Sequence, residues 1–331
     1  MKNILLLATG GTIASTQERS DDALAPGLPP EVLLQAVPEI TQYCRVDTVQ
    51  IESLDSTNIR PEHWLKLAAA IRQNYDKYDG FVITHGTDTL AYTAAALSYL
   101  VQHSTKPIVI TGAQRPIWAG GSDGTKNLLD SFFFCSKSGA SGVFVVFGGK
   151  AILGTRARKV RSMSYRAFDS INYPPVASIH HRQMTRYLLA PELAAKPVRF
   201  YDALNARVCL LKLTPGMPPD VLLHLGQAND AIIMESFGTG GLPFVFHDIA
   251  QQLAAQCTLV LSTQVAFEGS DLDVYETGRR IADTPGMMQA YDMTVEAALA
   301  KLMWILPIAN NPDEIRQLFY TPVFRDIYLP E

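Results

Sequence analysis

Short apolar runs alternate along this chain with longer stretches of helical periodicity, a pattern that confines the fold to parallel strands joined by crossover helices. Five candidate strands come first: Ile4 to Ala8, Thr48 to Glu52, Gly80 to Thr84, Pro107 to Thr111 and Gly142 to Phe147. The last reads GVFVVF, with the β-branched and aromatic enrichment of a buried strand. Pro61 suits a first helical position, and Leu65, Leu67, Ala68 and Ile71 follow it at helical spacing. Leu90 to Val101, rich in Ala and Leu, is a second expected helix. The expected fold is α/β, with a larger N-terminal domain over 1–180 whose mostly parallel sheet is flanked by helices. A polar, proline-bearing stretch opening at His180-His181-Arg182 is expected to be a linker, 181–204, before a smaller C-terminal α/β domain over 205–331. There the expected strands are Val208 to Leu213, Ala231 to Met234 and Leu259 to Ser262, with a helix over Met293 to Leu306. At 331 residues and 47% hydrophobic composition, the chain can bury cores of this size.

Composition removes several classes of function. A net charge of -4 provides no broad basic field for nucleic acid, which points to a small-molecule partner. Cys44, Cys135, Cys209 and Cys257 are scattered without a CxxC pair, so neither a disulfide framework nor a zinc cluster is expected. The seven histidines form no H-E-x-x-H pattern, and no metal or other cofactor is expected. The apolar run Ile4 to Ala8 meets Thr9-Gly10-Gly11 too soon for a signal h-region, and no run reaches membrane-span length, so a cytoplasmic location is expected.

In an open parallel sheet, ligands bind beyond the carboxyl ends of the strands. Four strands deliver polar clusters there: Thr9-Gly10-Gly11-Thr12, Asp55-Ser56-Thr57-Asn58, His85-Gly86-Thr87-Asp88-Thr89 and Gly112-Ala113-Gln114. The fifth leads to Gly148-Gly149-Lys150 and then to Arg156, Arg158, Lys159 and Arg161, from which one cation can reach the same crevice while most stay solvated. Each cluster has a plainer explanation. A glycine turn after a first strand often cradles phosphate, but neither G-x-G-x-x-G nor G-x-x-x-x-G-K-[ST] is present. Thr87 and Asp88 can simply cap the helix that follows. Gly120-Gly121-Ser122-Asp123-Gly124 matches G-x-S-x-G, yet its serine lies too far past the fourth strand to form a nucleophile elbow. His85 reads as a structural histidine beside the site.

Thr9-Gly10-Gly11-Thr12-Ile13-Ala14 and His85-Gly86-Thr87-Asp88-Thr89 together resemble the two signatures of the bacterial-type asparaginase/glutaminase family, in its cytoplasmic type I branch. The resemblance runs through Leu54-Asp55-Ser56-Thr57, Thr111-Gly112-Ala113-Gln114, Ser122-Asp123-Gly124 and Asp292-Met293-Thr294-Val295-Glu296-Ala297. It implies that Thr12 and Thr87 are catalytic, with Asp88 and Lys159 completing the second group. Lys159 is placed by the Gly154-to-Lys159 spacing. Ser56 and Thr57 would hold the substrate's α-carboxylate, helped by backbone around Gly11, Asp55, Gly86 and Ala113. The stretch Ser15 to Leu33 lacks the tyrosine that many members carry there, and Tyr275 matches one that type I relatives bring in from the second domain.

The implied reaction is hydrolysis of L-asparagine to L-aspartate and ammonia through a threonine-bound acyl-enzyme, with minor glutaminase activity. Thr12 is the expected acyl carrier, although the residues do not order the two threonines. Lys159, held by Asp88, would act as base through Thr87, provided that burial favours its neutral amine. An ammonia-supplying amidotransferase subunit and a nonenzymatic amino-acid sensor are the alternatives on this fold. A chain that begins at the first strand disfavours the former, and the full Thr12, Thr87, Asp88 and Lys159 set disfavours the latter. A homodimer or dimer of dimers is expected.

Overall fold

The computed structural model describes residues 1–17, 24–188, 196–274 and 286–329. The chain separates into two compact units, Met1–Asp202 and Ala203–Glu331. In the first, an eight-stranded sheet runs in the order Gln183–Arg186, Ala177–His180, Lys150–Leu153, Gly142–Phe147, Pro107–Thr111, Gly80–Thr84, Lys2–Gly10, Cys44–Leu54. The five strands from Gly142–Phe147 onward in that order are parallel, and the other three join antiparallel at one edge.

Burial explains the pattern in the sequence. Gly80–Thr84, Pro107–Thr111 and Gly142–Phe147 are buried at every residue, as continuous apolar runs covered on both faces must be. Cys44–Leu54 lies at the open edge, and its residues alternate between part-buried and exposed over much of its length. Helices Pro61–Asn74, Leu90–Leu100 and Gly124–Lys137 make the crossovers. Leu90–Leu100 is buried at all but one position because it is apolar all round.

Gly148 and Gly149, both at positive φ, turn Gly142–Phe147 straight back into Lys150–Leu153, with Phe147 paired to Lys150. A Gly-Gly pair between two strands is a hairpin signal, and it explains where the antiparallel edge begins. Residues 181–204, read as a linker, include the strand Gln183–Arg186 on this sheet and Arg199–Phe200, which pairs with Val101–Gln102.

The second unit holds a four-stranded parallel sheet in the order Val208–Lys212, Ala231–Ser236, Thr258–Thr263, Met287–Gln289. Helix Val295–Ile305 begins at Thr294, whose side chain accepts the Ala297 N–H. This helix buries Lys301 completely. Lys301 Nζ sits 2.7 Å from Asp326 Oδ2 and donates to the Thr321 carbonyl at 2.9 Å. Burial pushes the Lys301 ammonium below the ordinary lysine range, and Asp326 works against that shift.

Removing one partner from such a pair leaves a buried charge uncompensated. Asp326→Ala is expected to lower stability to chemical denaturation by about 3–5 kcal/mol. Lys301→Met combined with Asp326→Leu should recover most of that loss, since two apolar side chains leave no orphaned charge.

Candidate active site

Two loops meet backbone to backbone at the carboxyl ends of adjacent parallel strands. Strand Lys2–Gly10 ends at Gly10 and is followed by Gly11, at φ 94° and 77°, and the chain then tightens into a single turn over Thr12–Ala14. A β-carbon at Gly11 would stand 2.3 Å from the Gly86 nitrogen. One at Gly86 would stand 2.6 Å from Ser56 Oγ. Only glycine permits both approaches, and they bring the loops carrying Thr12, Ser56 and Thr87 together. The first loop is held from a third side, since Ile117 N donates to the Ile13 carbonyl at 3.2 Å and Trp118 Nε1 to the Ser15 carbonyl at 2.6 Å. Thr12 is half-buried.

The plainer role for Thr87 and Asp88 fails on geometry. Helix Leu90–Leu100 takes Thr89 as its N-cap and has no side-chain cap bond. Thr87 Oγ1 instead donates to Gln114 Oε1 at 3.1 Å and accepts from Lys159 Nζ at 2.9 Å. Lys159 Nζ also lies 2.6 Å from Asp88 Oδ1. The lysine side chain is 19% exposed and the aspartate 56%, so the ion pair faces solvent from the Asp88 side. Lys159 ends the strand Ala157–Lys159, which pairs antiparallel with Phe168–Ser170. Of the neighbouring cations, Arg156 is 1% exposed and its guanidinium lies over the Tyr173 ring, so it is structural and not solvated as expected of that stretch, whereas Arg161 is exposed. Lys150 turns to Asp169.

The second loop is zipped to the third. Ser56 is buried, its Oγ accepts the Asp88 N–H at 3.3 Å, and its carbonyl accepts the Thr89 hydroxyl at 2.7 Å. Asp55 Oδ1 accepts both the N–H and the hydroxyl of Thr57 at 2.9 Å, which fixes the exposed Thr57. Ala113 is buried in the fourth loop. Thr12, Gly11, Asp55, Ser56, Thr57, Gly86, Thr87, Asp88 and Ala113 therefore lie on loops tied into one cluster that Lys159 reaches from a strand end, whereas Tyr275 lies outside the described residues. Among the described residues, no group of three or more His, Cys, Asp or Glu side chains is placed to hold a metal.

Two contributors stood in the sequence within quoted clusters but were given no role. Gln114 touches Thr87, and Asp123 shapes the loop that carries it by accepting the N–H groups of Gln114 and Arg115 and the Asn127 amide. The signal was local: four polar residues, Gln114, Ser122, Asp123 and Asn127, follow an apolar strand. Ser122 Oγ donates to the Arg115 carbonyl and accepts the Gly124 N–H, so the G-x-S-x-G serine serves a turn.

His85 is fully buried and neutral. Its Nδ1 faces the Gly86 carbonyl at 2.7 Å, and its Nε2 faces Thr93 Oγ1, which also accepts the Trp64 indole N–H at 2.9 Å. These partners place the proton on Nδ1 and leave Nε2 to accept from Thr93.

The family description "Asparaginase, N-terminal" matches residues 3–190, and "Glutaminase/Asparaginase C-terminal domain" matches 207–319. The chain belongs to the asparaginase family. An L-asparaginase of Thermococcus kodakarensis is 38% identical over 320 residues, covering 95% of this chain and 96% of its own. A glutamyl-tRNA(Gln) amidotransferase subunit of Sulfolobus acidocaldarius is 33% identical over 338 residues, covering 98% of this chain and 75% of its own. Among solved structures, the thermostable L-asparaginase from Thermococcus kodakarensis matches with a TM-score of 0.92 at 36% identity, over 99% of this chain and 100% of that one. L-asparaginase I from Vibrio cholerae matches with a TM-score of 0.89 at 29% identity, over 99% of both chains.

Burial drives the His85 imidazolium pKa down from 6.5 to about 4. The unfolded chain therefore takes up a proton that the folded site refuses, and stability falls as pH drops from 6.5 towards 4. The loss should reach about 3 kcal/mol. Chemical denaturation at stepped pH will read it, and His85→Gln should flatten this part of the profile.

Proposed function

We propose that this chain hydrolyses L-asparagine to L-aspartate and ammonia through an acyl-enzyme on a threonine. The contact of Lys159 Nζ with both Thr87 Oγ1 and Asp88 Oδ1, on loops packed against that of Thr12, carries this reading. A primary amide is a poor electrophile, and a covalent ester divides its hydrolysis into two easier steps. In the first, a threonine Oγ bonds to the side-chain amide carbon and its proton passes to the Lys159 amine. The C–N bond then breaks, and that proton leaves with ammonia. In the second, water attacks the ester, returns a proton to the threonine and releases aspartate.

Thr12 is the acyl carrier in this proposal. Thr87, Asp88 and Lys159 form the proton path, while Ser56, Thr57 and the backbone of Gly11, Asp55, Gly86 and Ala113 receive the substrate. N–H groups of the glycine loops are suited to stabilising the oxyanion. Glutamine differs by one methylene, worth about 1–3 kcal/mol of discrimination, so a minor glutaminase activity accompanies the main one.

The four cysteines are free, which suits a reducing cytoplasm, and among the described residues no helix is long and apolar enough to cross a membrane. Phe244, Val245, Val265 and Phe267 are exposed on the second unit and support a homo-oligomer, a dimer or dimer of dimers, checked by light scattering.

Purified protein in EDTA is expected to release ammonia from L-asparagine faster than from L-glutamine, and a folded protein that releases none from either sinks the reading. Thr12→Val and Thr87→Val should each lower kcat by about a thousandfold or more with the fold intact. Wild-type kcat in Thr87→Val would withdraw its role. Similarity to the glutamyl-tRNA(Gln) amidotransferase relative favours a second reading, in which the ammonia is delivered to a partner. Turnover of free asparagine by the chain alone separates the two.

A further inference from the structure

The side-chain amide of Gln114 has one orientation consistent with its surroundings. Nε2 lies 2.9 Å from the Ser162 carbonyl oxygen and 3.3 Å from that of Ser164. Both neighbours only accept, so the end facing them is the NH2 group, and the amide oxygen is left facing Thr87 Oγ1 at 3.1 Å. An amide oxygen cannot donate, so the Thr87 hydroxyl proton points at Gln114. From its other side Thr87 Oγ1 accepts from Lys159 Nζ at 2.9 Å. The hydroxyl is thus caught between a fixed acceptor and a donor, with its proton directed away from the amine that must receive it.

We propose that Gln114 is a positioning residue that parks the Thr87 proton away from Lys159, so that the proton moves only when the hydroxyl turns from the amide to the amine. The inference rests on the threonine mechanism above. Gln114 itself is held by the Asp123 carboxylate, which takes its backbone N–H at 3.0 Å and so fixes the base of the side chain. The charged groups tied to this hydroxyl by the hydrogen bonds described are Lys159, which donates to it, Asp88 beyond that amine, and Asp123, which holds the backbone of Gln114. While the lysine is an ammonium, each hydrogen bond in the row has a donor and an acceptor. Once it is a neutral amine, it competes with Gln114 for the single Thr87 proton, and one acceptor must go without.

That competition has a readable sign. Gln114→Met keeps the length of the side chain and removes the rival acceptor, so the neutral amine gains the Thr87 proton outright. The acid limb of the kcat/KM profile should then move to lower pH by roughly half to one unit, the scale of one hydrogen bond. Gln114→Glu places a carboxylate on the same hydroxyl and favours the ammonium, so the limb should move to higher pH by about one unit or more.

The experiment is the pH profile of asparagine hydrolysis for the wild type and both variants, with melting temperatures and separate kcat and KM. Opposite displacements of the limb establish the inference. A purely structural Gln114, tying down residues 162–164, would lower the melting temperature or raise KM and leave the limb in place. That result overturns the inference, as does an active wild type with no acid limb. An inactive wild type instead removes the mechanism on which the inference stands.

Discussion

The backbone of Gly11 lies against that of Gly86 with no space for a β-carbon between them, and the site follows from this contact. Adjacent parallel strands bring their carboxyl ends within reach of each other, but a side chain at either position would hold the loops apart by its own width. With the gap closed, the first residue past each contact is a threonine. Ser56 then reaches the Asp88 N–H, and the Thr89 hydroxyl reaches the Ser56 carbonyl. A positive φ at Gly11 adds a second reason why no other residue serves there.

Several polar groups buried around this contact are held by directed hydrogen bonds that also set proton positions. The row from the Trp64 indole through Thr93 and His85 to the Gly86 carbonyl runs in a single direction and ends on the glycine at the contact. A second row runs from the Gln114 amide through Thr87 to Lys159 and Asp88. The first is sealed from water and the second opens to it, because Asp88 is more than half exposed. Rigidity lies beneath the hydroxyls and solvent access beside them, which suits the proposed entry of both an amide and a water molecule.

The parallel core was legible because strands buried on both faces are written as unbroken apolar runs, and Gly80–Thr84, Pro107–Thr111 and Gly142–Phe147 start and stop where composition changes. The antiparallel edge was not. Gln183–Arg186 is polar and largely exposed, and its strand state comes from pairing with Ala177–His180, which composition does not encode. Met287–Gln289 is too short to carry a period. At the site, glycines and hydroxyls in loops after apolar strands marked the threonines. Gln114 carried the same mark as part of Gly112-Ala113-Gln114 but no role, because its contacts depend on what its amide faces once residues 162–164 have come round to meet it. Arg156 misleads for a related reason, since a cation in a basic stretch reads as solvated until an aromatic ring is found beneath it.

Lys159 reaches Thr87 across 72 positions of sequence, from a strand that needs Phe168–Ser170 as its partner. A chain emerging from the ribosome therefore exposes both threonine loops well before it can supply their amine. Under the proposed mechanism, a fragment that stops short of residue 159 carries both hydroxyls without their base, and hydrolytic capacity waits on the one segment that holds Lys159.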